Sequence, residues 1–92
     1  MIRSFRQRDA EAIFDGNRIP RFAHVAKVAR RRLRLIHNAR SLRDLAALPG
    51  NHLEALKGDR AGQHSIRIND QYRVCFRWER DGASGVEIVD YH

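Results

Sequence analysis

The chain has 92 residues, 42% of them hydrophobic and 32% charged, and a formal net charge of +7. That length supports one modest core and leaves no room for a second, so residues 1–92 are expected to form one domain, and the apolar content is too high for a disordered chain. No apolar stretch approaches the ~20 residues that cross a bilayer, Met1-Ile2-Arg3-Ser4-Phe5-Arg6 lacks the apolar run of a signal peptide, and the lone Cys75 excludes an internal disulfide, so the expected compartment is the cytoplasm.

Ile2 to Phe5 alternates apolar and polar and reads as a first strand. Asp9 to Asp15 is a short helix with Ala10, Ile13 and Phe14 on one side and Gly16 placed to end it. Pro20 suits the first turn of the next helix. Its apolar positions Phe22, Val25, Ala26, Ala29, Leu33 and Ile36 recur every three or four residues and form one stripe, with Lys27, Arg30, Arg31 and Arg34 on the remaining surface. Asn38-Ala39-Arg40 interrupts the pattern. Ser41 with Asp44 resembles a capping box and restarts a helix through Leu42, Leu45, Ala46 and Leu48, which Pro49-Gly50 ends.

The period then changes to two. His52 to Leu56 reads as a short strand, and Gly58-Asp59-Arg60-Ala61-Gly62 as a turn. His64, Ile66 and Ile68 share a face opposite Ser65 and Arg67, and Asn69-Asp70 marks a tight turn. Tyr72, Val74, Phe76 and Trp78 face a core, while Gln71, Arg73, Cys75 and Arg77 point the other way. Asp81-Gly82 signals a hairpin, with a loop to Val86 that reads as longer than two residues, and Val86 to Val89 closes the sheet. The expected class is α+β: an N-terminal strand and helices packed on one face of a small, mainly antiparallel sheet. The other face is expected to be open and to carry Arg67, Arg73 and Arg77.

The charge calls for a polyanionic partner. Only Lys27 and Lys57 are lysines, and arginine forks onto phosphates and stacks on bases, which suits RNA. A general preference for Arg over Lys would account for the ratio but not for the net charge. The aromatics are not gathered on one amphipathic helix, which argues against a membrane surface. The five histidines and one cysteine have no zinc spacing, and neither a Gly-rich phosphate loop nor a Ser or Cys nucleophile is recognisable. The strand Val86-Glu87-Ile88-Val89 leads directly into Asp90-Tyr91-His92, three groups able to handle protons or anions. With Lys57 and Arg73 upstream, that ending suggests an RNA-cutting site on one sheet face.

The pieces Leu56-Lys57-Gly58-Asp59-Arg60, Gly62, Ser65-Ile66-Arg67-Ile68, Gln71-Tyr72-Arg73-Val74-Cys75-Phe76 and Val89-Asp90-Tyr91-His92, with the opening Met1-Ile2-Arg3-Ser4-Phe5, resemble the HigB toxins of the RelE superfamily. The resemblance covers essentially the whole chain in order and spacing; from Phe22 to Ala47 it is only a helix pattern. It implies a compact toxin of a toxin–antitoxin pair that enters the ribosomal A site and cleaves mRNA there without a metal or other cofactor. The ribose 2′-hydroxyl attacks the adjacent phosphate, leaving a 2′,3′-cyclic phosphate and a 5′-hydroxyl. The implied partner is a HigA-type helix-turn-helix antitoxin, through which alone the toxin would meet operator DNA.

Such a reaction needs a base, fixed positive charge on the phosphorane and an acid. His92 is the preferred proton carrier, because imidazole titrates near neutrality; the alternative is a solvated terminal histidine. Tyr91 would stack on a base or share a proton relay, or is an ordinary sheet tyrosine. Asp90 has the parity of Val86 and Ile88 and would orient His92 or Arg73, or merely accept a strand-end hydrogen bond. Lys57 and Arg73 would clamp the phosphate, with Arg67 a weaker candidate; Lys57 also reads as a solvated loop charge. The role of His52 stays open. The Lys27, Arg30, Arg31, Arg34 set is either solvated surface or a contact for ribosomal RNA phosphates. Two rivals remain: a non-catalytic nucleic-acid-binding module, and a gyrase-poisoning toxin of the ParE branch on the same fold.

Overall fold

The computed structural model describes residues 1–80 and 82–90. Among these, three α-helices precede a four-stranded antiparallel sheet: α1 (Arg8–Phe14), α2 (Ala26–Asn38), α3 (Leu42–Ala46), then β1 (Glu54–Ala55), β2 (His64–Arg67), β3 (Tyr72–Glu79) and β4 (Gly82–Asp90) in the order β1-β2-β3-β4. The expected α+β class with helices against one sheet face holds. No helix among the described residues is long and apolar enough to cross a membrane.

The helical stripe is buried much as its spacing requires. Phe22, Val25, Ala29, Leu33 and Ile36 meet Ile66, Val74, Phe76, Val86 and Ile88 from the sheet, and Ala10 and Ile13 of α1 complete the core. The helix, however, begins at Ala26. Pro20–Phe22 forms a separate 3-10 turn, because Val25 (φ −121°, ψ 1°) is not helical and breaks the ladder between them. The Ser41/Asp44 cap is present: Ser41 Oγ accepts from the Asp44 amide at 3.4 Å. The Asp44 carboxylate, one carbon shorter than Glu, accepts from the Arg40 amide at 2.8 Å, one residue before the cap.

Three sheet features depart from the expectations. First, the N-terminal segment is a parallel edge pairing with β4, made of isolated bridges Ile2↔Ala83 and Phe5↔Val86. Gln7 extends it with its side chain, whose amide donates to the Ile88 carbonyl (3.1 Å) and accepts from its N–H (3.0 Å). Second, β4 starts at Gly82, paired with Glu79, so the connection is two residues and Val86 is already mid-strand. Ala83, Ser84 and Gly85 have weak strand propensity and read as loop, yet pairing of Ala83 and Ser84 with β3, and of Ala83 with Ile2, keeps the segment in the sheet. Third, the ladder slips between Cys75↔Glu87 and Arg77↔Ser84. Gly85, at φ +60°, supplies the extra residue of a β-bulge in a conformation that side chains disfavour.

The second sheet face is not open. Its middle is closed by the chain between residues 52 and 63, so that Ser65 and Cys75 are fully buried and Arg73 is 7% exposed. The period-two reading assumed nothing beyond the sheet on that side. In fact β1 lies at the sheet edge beside β2, the segments flanking it bring the His52 carbonyl and the Arg60 side chain over the second face, and β3 is buried on both faces from Arg73 to Phe76.

Candidate functional site

The register places Glu54, Ser65, Cys75 and Glu87 in one row across the four strands, with Arg67, Arg73 and Val89 in the next row. Alternation then puts all seven side chains on the second face. Arg73 is the centre of this arrangement. Its Nε donates to Ser65 Oγ at 2.7 Å, its Nη1 lies 3.2 Å from Glu54 Oε1, and its Nη2 donates to the His52 carbonyl. A planar guanidinium held through three nitrogens has little rotational freedom, and lysine could not copy the pattern. Half of the Glu54 side chain remains exposed, so the pair sits at the rim of the buried zone.

A second cluster lies one row along. Arg60 Nη1 donates to Glu87 Oε2 at 3.0 Å and to Gln63 Oε1 at 3.1 Å, and Arg6 approaches Glu87 at 3.7 Å. Cys75 lies between the two clusters; burial raises its thiol pKa above the ordinary range, outweighing the charge of Arg60, which acts in the opposite direction.

Lys57 is exposed and precedes the 3-10 turn Gly58–Arg60. Leu56 is buried and its amide donates to the Gln63 carbonyl at 2.9 Å, which pins the chain just before Lys57. Gly58, at φ +63°, then turns the backbone as few other residues would. Lys57 therefore has a fixed base and an exposed side chain, with no ion pair among the described residues.

Arg67 shares the face with Arg73, but Asp70 in the next turn takes its guanidinium. Asp90 ends β4 opposite Tyr72, and Gln71 Nε2 donates to it at 3.2 Å. Arg73 pairs with Val89, so Asp90 faces the other side of the sheet from Arg73. His52 contributes its carbonyl, from a left-handed backbone (φ 44°, ψ 56°), and exposes its ring. Tyr91 and His92 lie outside the described residues.

The basic set on α2 is elsewhere, on the helix surface away from the core stripe. Lys27, Arg30, Arg31 and Arg34 line an open groove of about 310 Å³. Arg30 is partly committed, donating from Nε to the Ile13 carbonyl at 2.9 Å and so capping α1.

Sequence reasoning missed Glu54, Ser65, Arg60 and Glu87. A usable signal existed for Ser65: in a β2–β3 meander closed at Asn69-Asp70, it lies diagonal to Arg73. Glu54 carried no such signal, because a two-residue strand fixes no register from sequence.

A small antiparallel sheet with helices on one face and a cation-rich second face makes an α+β domain consistent with the RelE-like fold. A family model described as the RelE-like toxin of type II toxin-antitoxin system HigB matches residues 3–92. Toxin HigB-1 of Vibrio cholerae serotype O1 is 40% identical over 62 residues, covering 67% of this chain and 64% of that protein. An uncharacterized protein of Haemophilus influenzae is 35% identical over 66 residues, covering 72% of this chain and 65% of that protein. The chain thus spans just under two thirds of the length of these relatives. It belongs to the HigB-like family of RelE-like toxins.

Proposed function

We propose that this protein is the toxin of a type II toxin–antitoxin pair and a ribosome-dependent endoribonuclease that cuts mRNA in the A site. The observation that carries this reading is the triply anchored Arg73 guanidinium on the sheet face opposite the helices, with an exposed Lys57 in the 52–63 segment whose backbone is pinned at Leu56. An attacked phosphate requires positive charge placed against it, since the phosphorane carries one more negative charge than the diester, and Arg73 and Lys57 would provide it. The 2′-hydroxyl loses its proton as its oxygen bonds to phosphorus, and the 5′-oxygen takes a proton as its bond to phosphorus breaks. Tyr91 and His92 supply the proton carriers, with His92 preferred and Asp90 orienting it. Arg73 and Lys57 take the charge, so no metal ion or cofactor is called for. Glu54 steers Arg73, and its half-exposed carboxylate can meet the ribose. Arg67, held by Asp70, contributes field more than contact.

The site has few groups with which to orient a flexible RNA, so the ribosome must supply orientation. The α2 groove fits that dependence. Four cations at i, i+3 and i, i+4 spacings repel one another, and ribosomal RNA phosphates would relieve the repulsion. The partner is a HigA-type helix-turn-helix antitoxin that neutralises the toxin and links it to operator DNA, and the pair works in the cytoplasm.

Purified ribosomes programmed with a defined mRNA test the reading. Wild-type protein should yield fragments ending in a 2′,3′-cyclic phosphate at A-site codons, His92→Ala and Arg73→Ala should yield almost none, and the same RNA without ribosomes should stay intact. Rapid turnover on free oligonucleotides would overturn ribosome dependence. Growth arrest with uncut message would favour a gyrase poison or a non-catalytic binder.

A further inference from the structure

Two of the three anchors described for Arg73, the His52 carbonyl and the Glu54 carboxylate, come from one short segment between α3 and β2. That segment is irregular. His52 sits in the left-handed region at the end of the 3-10 turn Pro49–Asn51, and β1 pairs with β2 over only two residues, so few backbone hydrogen bonds hold it. A buried amide adds to that hold. Asn51 is fully buried; its Nδ2 donates to the Leu45 carbonyl at 3.1 Å, and its Oδ1 accepts from Arg32 Nη1 at 3.1 Å. Arg32, from the middle of α2, donates with Nε to the Arg67 carbonyl at 2.9 Å and reaches the Gly50 carbonyl with Nη2 at 3.4 Å. Arg67 is the cross-strand partner of Arg73. One guanidinium therefore ties down both flanks of another: the loop that carries the His52 carbonyl and the strand end beside Arg73.

We propose that Arg32 and Asn51 are positioning residues that hold Arg73 in its clamp geometry, acting through the His52–Glu54 segment. Arg32 pays a visible electrostatic cost there. Burial, and then the charges of Arg31 and Arg67, lower its pKa from the usual arginine value, although the group stays a cation. A chain that needed only a tether from α2 to this loop would be served by a neutral or apolar contact. A planar fork reaching three acceptors in two segments fixes an orientation as well as a distance. The functional consequence rests on Arg73 being the phosphate clamp; the positioning itself does not.

The test compares full-length wild type with Arg32→Lys and Asn51→Ala. Arg32→Lys is the milder change, since lysine keeps the charge but cannot serve Asn51 and Arg67 at once. The first readout is hydrogen exchange of the Arg73 Nε–H, which donates to Ser65, followed by NMR beside the amides of Val74 and Phe76. Arg73 exchange should accelerate about tenfold or more, the effect of weakening one charge-assisted hydrogen bond, while the two core amides keep their protection. Unchanged Arg73 exchange overturns the proposal, as does loss of protection at all three sites together, which would mean general loosening. The second readout is a double-mutant cycle on ribosome-dependent cleavage. Arg32→Lys should slow cleavage about tenfold at saturating ribosome without moving the half-saturation point, and should cost nothing further in an Arg73→Ala background; a full tenfold loss in that background overturns it. If Arg73 exchange responds as expected but Arg73→Ala cuts at the wild-type rate, the positioning stands and the clamp reading of Arg73 falls.

Discussion

The two cationic regions of this molecule carry the same charge under opposite constraints. On the second sheet face Arg73 is 7% exposed and anchored by Ser65, Glu54 and the His52 carbonyl. On α2, Lys27, Arg31 and Arg34 are exposed around an open groove, and of the four cations there Arg30 alone has a side-chain hydrogen bond among the described residues. A held cation can meet charge that develops at one point, while loose cations can follow a phosphate backbone whose position varies. The difference teaches that net charge does not identify a site. How each cation is held separates chemistry from docking.

The largest expected effect follows from breaking the held set. Arg73→Ala should lower ribosome-dependent cleavage by about 10²–10³-fold, the usual loss when a fixed electrostatic group is removed. It should also destabilise the fold by about 1–3 kcal/mol, because Ser65 would lose its donor inside the sheet. Arg73→Lys sharpens the point: the charge is kept but the three-way anchoring is lost, so activity should stay within about tenfold of the Ala variant. Recovery to wild-type rates would show that charge alone suffices there.

Lys57→Ala is next. It should reduce cleavage by about 10–100-fold with little change in a urea melt, since the side chain is exposed and packs no core. A large loss of stability would contradict its placement.

The loose set should behave differently. Replacing Lys27, Arg30, Arg31 and Arg34 with Gln should reduce the slope of log affinity against log salt for ribosome binding by about 3, the value for four phosphate contacts. Cleavage at saturating ribosome should change little. An unchanged slope would return this surface to ordinary solvation.

The smallest effect concerns Cys75, buried between the two acid–base clusters. Its thiol is held neutral, with a folded-state pKa raised above the unfolded value. Its contribution is thus fully present below the unfolded thiol pKa of about 8.5 and is lost as pH rises toward the folded value. Urea melts above pH 8.5 should show wild-type stability falling with pH, and Cys75→Ala should flatten that fall. Identical pH slopes would remove the effect.

Much of the fold was legible locally. The stripe Phe22, Val25, Ala29, Leu33, Ile36 and the alternation Tyr72, Val74, Phe76, Trp78 each name an element and its inward face, because helices and strands repeat side-chain direction at fixed periods. The Ser41 cap and the Asn69-Asp70 turn were equally readable, since both are satisfied within a few residues. Of the candidate site, Arg73 and Arg67 were placed on the correct face, and Lys57 at a glycine turn. The parity of Asp90 with Ile88 was also correct, but it excludes direct orientation of Arg73 from that carboxylate on the same face.

The amino-acid sequence by itself determined which residues must be hidden, where helices give way to strands, and which family motifs run through the chain. Only the tertiary structure decided that the second face is closed, that β4 begins at Gly82, and that Glu54, Ser65 and His52 converge on Arg73. The reason is the range of the forces involved. Periodicity is set by the next turn or the next pleat. The partners of a buried charge are chosen instead by register, by a bulge at Gly85, and by a loop held from α2, none of which any window of neighbouring residues contains.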